Sequence, residues 1–150
     1  MKKLLLLVVL IALFCSHSRA GVARSIAINV GELTTDGVKF EIFVRNAPEA
    51  PETKLLPFVK ITGKGKIILL TDMEQIVPWL KLFENNQLGS EWIEYRYCHV
   101  RNESNKISLM LKTSDQKGIN IFINKNDAGK LLEFLELGVT ISENCQIRPE

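Results

Sequence analysis

Gly118-Ile119-Asn120-Ile121-Phe122-Ile123, running through Asn124-Lys125-Asn126-Asp127 into Ala128-Gly129-Lys130-Leu131-Leu132-Glu133-Phe134-Leu135, is the stretch that decides how this chain folds. Its first part is rich in β-formers and carries no charge, the composition of a strand. From Ala128 the apolar spacing changes, because Ala128, Leu131, Leu132 and Leu135 stand at i, i+3, i+4 and i+7 on one helical face. Asn126 before Asp127 offers an N-cap with an acid in the first turn, and Gly138 is placed to close the helix. A strand feeding a one-faced helix predicts a helix packed on a sheet.

Working outward, residues 107–113 form a second β-rich run, separated from 118–123 by the turn Ser114-Asp115-Gln116-Lys117. Shifted by 52 residues, the chain falls on itself: Phe58-Val59-Lys60-Ile61-Thr62 on Met110-Leu111-Lys112-Thr113-Ser114, and Ile67-Ile68-Leu69-Leu70 on Ile119-Asn120-Ile121-Phe122. Trp79-Leu80-Lys81-Leu82-Phe83-Glu84 falls on Leu131-Leu132-Glu133-Phe134-Leu135-Glu136, and with a loop four residues different Val44-Arg45-Asn46 falls on Val100-Arg101-Asn102. Each half therefore builds the same unit. In the first copy the hairpin turns at Gly63-Lys64-Gly65-Lys66, and Ile76, Trp79, Leu80 and Phe83 form the helical face. Thr71 and Glu74 have capping-box spacing, Pro78 marks a first turn or a kink, and Gly89 ends the helix. Further strands are expected over 25–33, 38–46 and 91–100, with 139–147 as a closing strand. The whole reads as one α+β domain of antiparallel sheet, with repeats at about 25–88 and 89–147 and helices packed on the sheet.

The beginning of the chain is of a different kind. Met1-Lys2-Lys3 is positive, residues 4–14 are unbroken apolar, and Ser18-Arg19-Ala20 ends in small residues, the pattern of a secretory signal over 1–20 cleaved between Ala20 and Gly21. The apolar run is about half of the ~20 residues a membrane helix needs. A lipidated Cys15 is disfavoured because Ala12-Leu13-Phe14 puts no small residue before it. Cleavage removes Lys2, Lys3 and Arg19, so the formal charge passes from +2 to about −1. A near-neutral surface gives no general electrostatic attraction to nucleic acid. It also removes Cys15, leaving Cys98 and Cys145 as one pair in an oxidising compartment. A disulfide is expected, worth on the order of 4 kcal/mol for a loop of this length. Asn102-Glu103-Ser104 is a glycosylation sequon, expected on an exposed turn.

Strands ending in one helix, twice over, resemble the ββββα units of the PC4-like and PUR-type single-stranded nucleic-acid-binding folds. The local resemblance lies in Gly118-Ile119-Asn120-Ile121, Asn126-Asp127 and Lys130-Leu131-Leu132. It implies a basic, aromatic sheet face that stacks and neutralises a single strand, with Lys60, Lys64, Lys66, Lys112 and Lys117 as its cations. Secretion and the lost net charge count against nucleic acid as the partner.

Catalysis needs convergent groups, and past residue 20 His99 is the sole histidine. Neighbours on a strand face opposite sides, so Cys98 and His99 make no dyad. The chain has no Gly-x-Ser-x-Gly, no His-Glu-x-x-His, no phosphate-cradling glycine loop and no EF-hand, so neither enzyme activity, metal nor cofactor is expected. Alternation through Trp92-Ile93-Glu94-Tyr95-Arg96-Tyr97-Cys98-His99 sets Ile93, Tyr95, Tyr97 and His99 on one face. That stripe is either cross-strand packing or a contact surface. Lys64 and Lys66, on a hairpin tip, form a second candidate surface for acidic glycans or anionic headgroups. These features describe a secreted, non-enzymatic binding or effector protein, of the kind found in venom or saliva, that acts on an extracellular protein or surface. The alternatives are a membrane-active toxin, a nucleic-acid-binding module, and a secreted enzyme or enzyme inhibitor. Pairing of two copies through sheet edges or helices is a further expectation.

Overall fold

The computed structural model describes residues 27–46, 55–71, 73, 76–95, 98–112 and 118–145. The leader and its cleavage point at Ala20 and Gly21 lie outside these residues. Four strands, β1 (Ala27–Thr35), β2 (Val38–Asn46), β3 (Leu55–Gly63) and β4 (Lys66–Leu70), form an antiparallel meander followed by helix α1 (Val77–Glu84). A second meander, β5 (Ile93–Tyr95), β6 (Cys98–Glu103), β7 (Lys106–Lys112) and β8 (Gly118–Asn124), is followed by helix α2 (Lys125–Asn144). The expected α+β class, two antiparallel sheets with helices packed on them, is the observed one.

Two-residue turns set the registers. Asp36-Gly37, Lys64-Gly65 and Ser104-Asn105 each join paired strand ends, and all six residues have φ between 50° and 74°. Two successive left-handed residues give a type I′ turn, whose twist matches that of the strands it joins. With register fixed, alternation sends Val38, Phe40 and Ile42 of β2, Val59 and Ile61 of β3, and Ile68 and Leu70 of β4 inward. Cys98 and Val100 of β6, Ile107, Leu109 and Leu111 of β7, and Ile119, Ile121 and Ile123 of β8 do the same from the second sheet. Both sets meet Ile76, Leu80, Phe83, Ala128, Leu131, Leu132 and Leu135 in one continuous core.

α2 crosses to the other half of the chain. It lies against β1, β2 and β3 and touches its own sheet at β7 and β8. The crossing is close: a Cβ on Gly31 would meet the Phe134 ring at 2.7 Å, and one on Gly138 would sit 3.5 Å from Ile42. α1 packs on α2, where Lys81 pairs with Glu136 at 2.8 Å.

Several expectations are corrected. Residues 139–144 are helix, not a closing strand, because the apolar face continues through Leu135, Gly138 and Ile141, all buried. Gly138 therefore lies inside α2, and Asn124 rather than Asn126 is its N-cap, its side chain accepting from Asp127 N at 2.9 Å. α1 starts at Val77 with Pro78 in the first turn, so Thr71 is not its cap. Asn86, at φ 57°, takes the left-handed position after α1 that Gly89 was expected to fill. The strand expected over 91–100 is divided, since β5 and β6 pair with Tyr95 opposite Cys98.

Candidate functional site

The faces of the two sheets that point away from the core carry the chemistry. On the first, Phe43 and Phe58 are directly paired across β2 and β3, and their rings stack at 5.7 Å and 9°. Arg45, two residues along β2 and opposite Leu56, lays its guanidinium over Phe58 at 4.4 Å and reaches Phe43 at 5.7 Å. Phe58 is only 3% exposed although it faces outward. Further along, Lys39 pairs with Glu32 at 2.9 Å and Glu41 at 3.3 Å, and Lys60 pairs with Glu41 at 3.0 Å. Lys60 first and Lys39 second hold the Glu41 carboxyl below its usual range, while Glu32 and Glu41 hold Lys39 above its own. Arg45, by contrast, has no carboxylate partner among the described residues. Ile67 and Leu69 border this network on β4, 68% and 45% exposed.

The second sheet repeats the plan with other side chains. Arg101 opposite Ser108 and His99 opposite Met110 occupy the positions that Arg45 opposite Leu56 and Phe43 opposite Phe58 hold in the first. Arg101 lies over the Trp92 ring at 4.6 Å and donates through Nε and Nη2 to Glu103 Oε2 at 3.1 and 2.7 Å. His99 meets Trp92 edge-on at 6.5 Å. Its Nε2 lies 3.1 Å from Glu94 Oε1, within ion-pair range once the ring is protonated but off the line of a hydrogen bond. An arginine resting on an aromatic ring at repeat-related positions could not be read from the Val44-Arg45-Asn46 and Val100-Arg101-Asn102 match alone. The nearest rings, Phe58 of β3 and Trp92 just before β5, come from outside the arginine's own strand.

The expected Tyr95, Tyr97 and His99 stripe does not persist. Tyr95 stands opposite Cys98 and His99 opposite Glu94, so the β5 to β6 connection breaks the alternation between them; Tyr97 lies outside the described residues. The expected lysine tip is already engaged: Lys64 Nζ donates to Asn120 O at 2.6 Å and Asp36 Oδ2 at 2.7 Å, and Lys66 Nζ donates to Gly118 O at 3.1 Å. Asn102 lies in β6, half-buried with Oδ1 shielded from water, and not on an exposed turn as its sequon leads one to expect.

The expected bridge between Cys98 and Cys145 is absent. Cys98 belongs to the main core, while Cys145 ends α2 among Val44, Leu55 and Ile141 at the far end of the first sheet. Once 139–144 is helical, no strand carries Cys145 back to β6. Burial pushes the Cys98 thiol up to about 12, which leaves it protonated and inert near neutral pH.

Among the described residues no three His, Cys, Asp or Glu side chains gather as a metal site, and no helix is long and apolar enough to cross a membrane. Compared with known proteins by sequence and by fold, the chain matches no family, no characterised protein and no solved structure.

Proposed function

We propose that this chain is a non-enzymatic binding protein that acts outside the cell by docking the outer face of its first sheet onto a partner protein that presents carboxylates. The observation that carries the reading is Arg45 on the stacked Phe43 and Phe58, with no carboxylate partner among the described residues, beside lysines that already have carboxylates. An aromatic and arginine centre within a charged rim is the usual anatomy of a protein interface hot spot. The paired lysines contribute little net field, which favours a protein over a polyanion. The pattern from Met1 to Ala20 supports the extracellular setting.

A second reading, a single-stranded nucleic-acid module, is favoured by the arginine-on-ring arrangement recurring at Arg101 on a repeated four-strand and helix unit. One experiment separates the two. Fluorescent protein is titrated onto cells of the producing organism, before and after trypsin treatment of the cells, and in parallel onto an unstructured DNA oligonucleotide. The protein reading expects saturable, trypsin-sensitive binding that Arg45→Glu weakens by about thirtyfold, the loss of a hot spot of about 2 kcal/mol, with an unchanged melting temperature. Salt-sensitive submicromolar binding to the oligonucleotide, or cell binding indifferent to Arg45→Glu, overturns it.

A further inference from the structure

β8 ends the second sheet, so among the described residues one edge of its backbone has no strand hydrogen-bonded to it. Residues 118–124 contain Ile119, Ile121, Phe122 and Ile123 with no charge and no proline. Such a segment templates strand pairing wherever its edge is open. Here the edge is met by side chains from the two described turns of the first sheet and the residue after one of them. Lys66 Nζ donates to Gly118 O at 3.1 Å, Lys64 Nζ donates to Asn120 O at 2.6 Å, and Phe122 N donates to Asp36 Oδ2 at 3.2 Å. Lys64 and Asp36 are themselves joined at 2.7 Å. One outward group on each of Gly118, Asn120 and Phe122 is thus met by a side chain brought from the other sheet.

We propose that Asp36, Lys64 and Lys66 form a releasable guard over β8, and that the site beneath takes β8 of a second copy of this chain, antiparallel. The guarded groups are complementary to themselves. A two-fold axis through Asn120 sets Asn120 against Asn120 of the other copy and Gly118 against Phe122, so the Phe122 N–H released by Asp36 meets the Gly118 carbonyl released by Lys66. Gly118 has no side chain to crowd the facing phenyl ring. The strand holds no charge to repel its own copy, and a two-fold pairing closes as a dimer instead of extending as a fibre. The guard is made of exposed and half-exposed polar contacts, individually weak in water, which is what makes it releasable. This surface is separate from the Arg45 face and does not depend on what that face binds.

The test combines Asp36→Asn with Lys64→Asn. Both positions have φ of 50°, a conformation asparagine tolerates well, so the turns survive while the salt bridge and the reach of Lys64 are lost. Light scattering after size exclusion should then show a concentration-dependent dimer where the parent chain is monomeric, and the Phe122 amide of the monomer should exchange faster by hydrogen exchange. Adding Asn120→Pro should restore the monomer, because it removes an outward N–H and spares the ladder to β7. A double variant that stays monomeric at every concentration, or a dimer that persists with Asn120→Pro, overturns the proposal. Should the double variant lose its cooperative melt, Asp36→Asn alone is read by the same two measurements.

Discussion

Asp36 joins three structural levels through one carboxylate: it occupies a left-handed turn position, pairs with Lys64, and accepts the Phe122 N–H of the opposite sheet. The hydrogen bond from Lys64 is the largest influence on it and, with the Phe122 N–H, holds the carboxyl below the usual aspartate range against some desolvation. A carboxyl with a lowered folded pKa contributes its stability in full above the pKa of an unfolded aspartate and loses it as pH falls through the folded value. Acidification below about pH 4 should therefore lower the melting temperature and speed exchange at Phe122. Asp36→Asn should flatten that pH profile, and a profile unchanged by the substitution would remove Asp36 from the explanation. The turn itself is legible in the sequence, since Asp36-Gly37 is a strong hairpin dipeptide. Its partner Phe122 is 86 residues away, and no local pattern announces it.

Glycines tell two helix and strand stories apart at the element scale. Gly138 lies within α2, where a Cβ would make ordinary contact with Ile42, Pro57 and Val30 at 3.5 to 3.9 Å. Gly138→Ala should therefore gain up to about 1 kcal/mol of helix propensity. Gly31 lies in β1 where the pairing with β2 shifts register, and a Cβ there would enter the Phe134 ring. Gly31→Ala should cost about 1–3 kcal/mol as the ring or backbone shifts. Urea unfolding of both variants checks the pair, and equal signs would contradict the packing of α2 on the first sheet. Periodicity made the faces of α1 and α2 readable, because Ile76, Leu80, Phe83, Ala128, Leu131, Leu132 and Leu135 are buried where spacing put them, with Trp79 half-buried beside them. The tail of α2 departs from its local sequence preference for a physical reason. Val139, Thr140 and Ile141 are β-branched and follow a glycine, a local preference that the continuing contact of Gly138 and Ile141 with the first sheet overrides. The stacks of Arg45 and Arg101 stayed hidden because an alternating strand shows which residues share a face without showing what crosses it.

Among the described residues both sheets and both helices contribute to one main core, beside a smaller cluster of Val44, Leu55 and Ile141. Calorimetry should accordingly show a single unfolding transition. Leu80→Ala in α1 and Leu109→Ala in β7, both fully buried, should each lower that same transition by about 2–5 kcal/mol. Two separable transitions, or a variant that melts only its own half, would contradict the shared core. The repeated strand and helix order was legible from the 52-residue self-match, while the exchange of α2 onto the other half was not. Like strands and helices serve equally well in either partnership.

That exchange governs how the chain must be made. Synthesis delivers β1 to β4 first, but the helix that covers β1, β2 and β3 follows only after the whole second sheet. At about 5–20 residues per second, the inward face of Val38, Phe40 and Ile42 waits several seconds without its cover. During that interval the first sheet is an intermediate with an exposed apolar face, open to pairing with other chains.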